Sequence, residues 1–264
     1  VTREGYLLDN AVPAAGARFD AISALFDAST FRHLDALGLA PGWRCWEVGA
    51  GGPSVTRGLA ARVGPTGHVV ATDIDVSWTG AAAADHVTIA RHDVVADPPP
   101  DGPFDLVHAR LVLVHLAERD RALRAMASAL RPGGWLVIED ADPALQPLAV
   151  LDVRGPDDEL ANRLRGAIRG MLVERGADLA YGRKLPRLLR DAGLRDVAAD
   201  AYFPIAHPAC AALERKTIEH VRAGLLASGR ATAAELDHHL GNLDAGRLEL
   251  AIGPMISAWG RAPS

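Results

Sequence analysis

Residues 44–52 read Arg44-Cys45-Trp46-Glu47-Val48-Gly49-Ala50-Gly51-Gly52. A short apolar strand runs into a glycine-rich turn, and a helical pattern over about Ser54–Val63 follows Pro53. Glycines at a strand-to-helix turn let a ligand approach the backbone closely, because no Cβ stands in the way. Standing alone, the pattern also suits a purely structural turn. Asp73 raises it above that, because it ends the next strand, His68–Thr72, 22 residues beyond Gly51. An acid at that place can accept hydrogen bonds from both ribose hydroxyls of an adenosine ligand. Asp93 ends a third strand, His86–Arg91, where it can accept from an adenine amine while the Val94 N–H faces a ring nitrogen.

Outward from this stretch, strand and helix signals alternate. Phe104–His108 and Trp135–Ile138 read as a fourth and a fifth strand, with helical patterns such as Glu118–Leu130 between them. That alternation predicts a doubly wound, mostly parallel sheet. The first 37 residues read as helical, with Phe19, Ile22, Leu25, Phe26, Phe31, Leu34 and Leu37 at helical spacing, before Gly38 and Pro41-Gly42 break the pattern. The second half predicts helices over Asp157–Glu174 and Arg183–Ala192, a strand near Val197–Phe203, two helices between about Cys210 and Leu240, and a last strand within Glu249–Trp259. No clean linker separates the halves. The expectation is one α/β domain over 1–264, with a seven-stranded sheet, an N-terminal helical cap and a helical insertion after the fifth strand.

Composition narrows the function classes. Of 264 residues, 49% are hydrophobic and 23% charged, which excludes a disordered or collagen-like chain. Cys45 and Cys210 are too few for a disulfide framework or a zinc cage. His33, His68, His86 and His207 make no metal-ligand spacing, and His238-His239 reads as a solvated helix face, so no metal is expected. No apolar run reaches the roughly 18 residues of a membrane helix, and the first residues lack an apolar signal core. A cytoplasmic protein with no membrane partner is the expectation. Arginine supplies 26 of the 28 Lys and Arg residues, yet the net charge is −5. Without a broad basic field, nucleic acid is not an expected partner.

In five stretches the chain resembles the class I S-adenosylmethionine-dependent methyltransferases. They are Glu47–Gly51 (EVGAG), Val69–Asp73 (VVATD), Arg91–Val94 (RHDV), Phe104–Leu116 (FDLVHARLVLVHL) and Leu130–Asp140 (LRPGGWLVIED), with Ile256–Trp259 similar to the family's last, antiparallel strand. The resemblance implies a Rossmann-like methyltransferase sheet, S-adenosylmethionine as cofactor, and a division into cap (1–40), cofactor-binding core (41–140) and helical lid with C-terminal strands (141–264). It implies that Gly49 and Gly51 line the methionine portion and that Glu47 reaches its ammonium. Asp73 would hold the ribose, Ile74 pack on adenine, Asp93 and Val94 read its edge, and the backbone at Arg110 meet the amino group. The family often has a further glycine where this chain has Pro53, a residue well tolerated at a first helical position. Asp97-Pro-Pro-Pro100 imitates an amino-methylating signature but precedes the fourth strand instead of following it, so it reads as a plain loop.

Methyl transfer from a sulfonium is an in-line displacement on an activated donor, and positioning can supply most of its acceleration. Residues after the fourth and fifth strands face the methyl in this architecture, which selects His115 as base and Asp140 as a second catalytic candidate. Packing behind the site is the other reading of His115, and a turn or helix cap that of Asp140. Tyr6, Phe19, Glu139 and Phe203 are the candidate acceptor contacts, and an aromatic wall suits a small, ring-bearing metabolite of the natural-product tailoring type. Homodimerisation through the N-terminal helices is a further expectation. Two alternatives stay open: a cofactor-binding scaffold that transfers no methyl, and an NAD(P)-dependent oxidoreductase, to whose fingerprint Gly49-x-Gly51-x-x-Ser54 approximates.

Overall fold

The computed structural model describes residues 15–264. Helix α1 (Ala15–Ala36) precedes β1 (Arg44–Val48), α2 (Ser54–Val63), β2 (His68–Asp73), β3 (Val87–Arg91) and β4 (Phe104–Arg110). Then come α3 (Arg119–Ser128), β5 (Leu130–Ala141), α4 (Pro156–Glu174), α5 (Leu185–Asp191) and β6 (Arg195–Tyr202). Helices α6 (Pro208–Ala227) and α7 (Ala233–Asp244) lead to β7 (Met255–Arg261). The seven strands lie in the order β3-β2-β1-β4-β5-β7-β6. All neighbours are parallel except β7, which runs antiparallel to both β5 and β6. Chain order reverses between β1 and β4, and such a switch point opens a crevice at the carboxyl ends of the strands.

Alternation along the strands separates two apolar layers. Trp46, Val107 and Ile138 pack with α3 and α5, while Cys45, Leu106 and Val137 pack with α1 and α2. Helices α4, α6 and α7 form their own core around Leu164, Ile168, Ile218 and Leu236. Helix α1 joins the two bodies, since Leu25 and Phe26 cluster with Val150, Cys210 and Met255. None of the described helices is long and apolar enough to cross a membrane.

Three local expectations need correction. Strand β5 extends well beyond Trp135–Ile138, because Pro132-Gly133-Gly134 does not end the pairing; the β4–β5 register shifts between Phe104 and Leu106 instead. Strand β7 starts at Met255 because Gly253-Pro254 interrupts the chain, leaving Leu250 and Ala251 in isolated bridges to Val150 and Ile205. The two adjacent histidines of α7 separate. His238 is exposed and lies 2.6 Å from Asp157, while His239 joins Leu236 and Leu243 on the buried face.

Candidate functional site

A cavity of about 330 Å³ opens where β1, β2 and β4 end. Gly49 (φ +66°) and Gly51 (φ +55°) take a left-handed backbone that favours glycine. Both are also closely covered. A Cβ on Gly49 would stand 2.3 Å from Val112, and one on Gly51 would stand 2.7 Å from Phe19 of α1. The glycines therefore shape a turn and let the cap helix seat against it. Asp73 closes the same turn: the Gly51 N–H donates to Oδ2 and the Asp75 N–H to Oδ1, each at 2.9 Å. Burial pushes the Asp73 carboxyl above its ordinary value, and those N–H groups oppose the rise. The Ile74 N–H also bonds this carboxylate, which lines the cavity and keeps acceptor capacity there for a ribose hydroxyl.

Seven of the eight expected cofactor contacts meet on this cavity: Gly49, Gly51, Asp73, Ile74, Asp93, Val94 and Arg110. Ile74 is 41% exposed, so it offers an open apolar surface for a flat ring. Asp93 accepts from the Val95 N–H at 2.9 Å, which fixes the turn that carries Val94. Arg110 turns its guanidinium toward α1, donating to Asp27 at 2.9 Å and to Thr30 at 3.0 Å. The donor and acceptor set fits an adenosyl ligand.

Glu47 is the exception, and it does not line the cavity. It pairs across the sheet with His108, whose Nδ1 lies 2.6 Å from its carboxylate. His108 Nε2 lies 3.3 Å from Glu139, which also accepts from Thr30 and, at 2.6 Å, from Ser257. His33 extends the chain, with Nδ1 3.5 Å from Glu139 and Nε2 2.8 Å from Asp200. Burial works against a charge on His108, but the flanking carboxylates outweigh it and raise the imidazole to about 9. Glu139 is held well below its ordinary value: burial opposes this, and hydrogen bonds from His108 and His33 prevail. Glu139 is thus a buried tie between sheet and cap, which corrects its place among the acceptor contacts. His108 was missed in the sequence. Its only signal there is an ionisable side chain within the apolar run Leu106–Ala109 of the strand.

The other end of the cavity is apolar, walled by Phe26, Leu111, Leu172, Leu213, Ile252 and Met255. Leu111 sits at φ +58°, a strained conformation for a branched residue at a ligand wall. His115 lines the cavity from a 3₁₀ turn, Leu113–His115. Burial, with the charges of Arg18 and Arg119, pushes it down to about 4, so it is a neutral imidazole at neutral pH. Asp140 does not reach the cavity; it lies buried behind that turn, accepting from the Val114 N–H at 3.3 Å. Burial raises it to about 8. That removes Asp140 from the reacting groups. Phe203 is not on the wall either, because β6 has ended and it is Tyr202 that meets Phe26 edge-on at 6.1 Å. Phe19 does line the cavity, and so does Arg18, a buried cation the sequence reading passed over. Tyr6 lies outside the described residues.

Comparison with known proteins bears on the same core. A family model described as a methyltransferase domain matches residues 16–199. An uncharacterized 37.1 kDa protein of a transposon of Streptomyces fradiae is 28% identical, over 96% of this chain and 71% of its own length. The ubiquinone/menaquinone biosynthesis C-methyltransferase UbiE of Vibrio parahaemolyticus is 31% identical over 52% of this chain; the match spans 58% of that enzyme's length. Among solved structures, the YcgJ protein of Bacillus subtilis superposes with a TM-score of 0.58 at 15% identity, over 90% of this chain and 99% of its own. That likeness shows the fold, and the family match decides against a dinucleotide oxidoreductase. With its seven-stranded sheet and glycine turn, the chain belongs to the methyltransferase-domain family, the class I S-adenosylmethionine-dependent enzymes that its motifs resemble.

Proposed function

We propose that the protein transfers the methyl group of S-adenosylmethionine to a small, largely apolar, ring-bearing acceptor. The observation that carries this reading is Asp73, held by the Gly51 N–H at one end of a cavity whose other end is apolar. The bound cofactor supplies a sulfonium-activated methyl open to in-line displacement. Asp73 accepts the ribose hydroxyls, Asp93 and the Val94 N–H read the adenine edge, and Ile74 packs on its face. Arg18 brings the cavity a positive charge to set against the cofactor's carboxylate. Phe19 and Val112 close over the glycine turn and exclude water from it.

The acceptor end orients more than it activates. His115 can accept a hydrogen bond from the acceptor, but with so low a basicity it takes a proton from a hydroxyl only at a cost. This favours a nucleophile that attacks before losing its proton, such as an electron-rich ring carbon or a neutral nitrogen. The C-methyltransferase relatives support carbon as the acceptor atom. The test is incubation with cofactor carrying a labelled methyl across a metabolite extract, followed by mass spectrometry. Label in an apolar, ring-bearing product supports the reading; persistent failure of label to move would favour a binding scaffold.

A further inference from the structure

The segment 143–151, Pro-Ala-Leu-Gln-Pro-Leu-Ala-Val-Leu, contains no charged residue, yet it is a surface loop between β5 and α4. Leu145 is 53% exposed, Leu148 38% and Leu151 39%. Both ends of the loop are tied to the apolar end of the cavity. Pro143 lines it, the Ala144 N–H donates to Leu179, another lining residue, and a Cβ on Gly253 would stand 3.1 Å from Pro143. At the far end the Ala251 N–H donates to Ala149 at 2.7 Å, next to lining residue Ile252. The stretch between is therefore a rim of the cavity. Its polar groups are bonded both within the loop and to α4: Gln146 accepts from the Leu148 N–H at 2.6 Å and donates to the Leu148 carbonyl at 2.8 Å, while Asn162 accepts from the Ala149 and Val150 N–H groups. The loop is folded, with most of its amides bonded and leucine side chains in water. Solvated loops usually show the reverse, and clustered exposed apolar groups beside a pocket mark a contact surface.

Volume says what the contact is. About 330 Å³ is at the small end of the roughly 300–1,000 Å³ found for one small ligand. Here it has to take a cofactor and the reacting end of an acceptor. Whatever else the acceptor carries lies outside, across the nearest rim. We infer that the acceptor is an amphiphile whose hydrocarbon tail leaves the cavity past Pro143 and lies on Leu145 and Leu148. This rests on the proposed methyl transfer and adds a substrate class to it.

A homologous series of 4-alkylphenols, from ethyl to dodecyl and kept below self-association, tests the inference by calorimetry on protein saturated with S-adenosylhomocysteine. Affinity is expected to rise about threefold to fourfold per methylene, from roughly 0.8 kcal/mol per buried CH₂, and to keep rising into the longer members. The Leu145→Ser/Leu148→Ser double variant should bind 4-ethylphenol as the native protein does and lose the gain of the longer tails. Identical series in the two proteins, a plateau at the shortest tails, or no binding of any member would overturn the inference. So would flotation with phosphatidylglycerol vesicles that the double variant abolishes while the alkyl series stays unchanged, which would assign the rim to a membrane surface. Titration of S-adenosylhomocysteine itself into both proteins reports separately on the cofactor reading and on the integrity of the variant.

Discussion

An imidazole pushed down to about 4 is fully neutral across the physiological range. If His115 takes part as a base, turnover should rise with pH through about 4 and stay flat from 6 to 8. His115→Ala should lower kcat by about tenfold through lost orientation, below the 10²–10⁴ expected of a well-matched base. An inflection in the kcat profile near pH 6.5 that disappears in the variant would contradict this. Asp140 offers the complementary case. Its folded value of about 8 stands far above the ordinary 3.8, so the folded state retains a proton that the unfolded chain releases. Whatever stability this proton confers is complete below about pH 3.8 and declines as pH rises toward 8. Asp140→Asn keeps the shape without the titration. Relative to the native protein it should gain stability between pH 4 and 8, by more than about 1 kcal/mol, or about 2–4 °C in Tm. Equal melting temperatures at pH 5 and pH 8 for the pair would refute the assignment.

At the scale of elements, the Glu47–His108–Glu139 chain ties β1, β4 and β5 to the cap helix α1 through Thr30 and His33. His108→Gln leaves at least one buried carboxylate without its charge partner and should cost about 3–5 kcal/mol, measured by chemical unfolding at pH 7. Because the His108 value is raised from 6.5 to about 9, its contribution is complete below pH 6.5 and is lost as pH rises through 9. The native protein should therefore lose stability across that window, and the variant should lack that decline. The same elements show how far sequence reading reaches. Gly49, Gly51, α2 and Asp73 were legible because their signals are local: a strand, a glycine turn, a helical period and the next strand's end. The Glu47–His108 pairing was not, since it depends on the register of strands 61 residues apart. Glu139 and Asp140 were misplaced for a related reason. With β5 read as ending at Ile138 they looked like loop acids facing the site. The strand in fact continues to Ala141, so they point to opposite faces of the sheet, and it is Ala141 that reaches the cavity.

Across the whole molecule, α1 is the part that walls the site into a chamber. It presses Phe19 onto the glycine turn, anchors Arg110 through Asp27, and packs Phe26 against the helical layer of α6. Fold, chamber and an apolar acceptor wall were foreseeable from an alternating pattern with a helical cap; which residues of α4, α6 and the β7 approach build that wall was not, because each segment contributes only a few residues to it. The central claim is that this chamber holds an adenosyl cofactor on Asp73. Calorimetric titration with S-adenosylhomocysteine tests it most directly, comparing the native protein with Asp73→Ala. The account predicts saturable one-site binding by the native protein and a loss of roughly 1.5–3 kcal/mol in the variant, about 10- to 150-fold in Kd. No binding by the native protein, or equal affinity in the two, would contradict it.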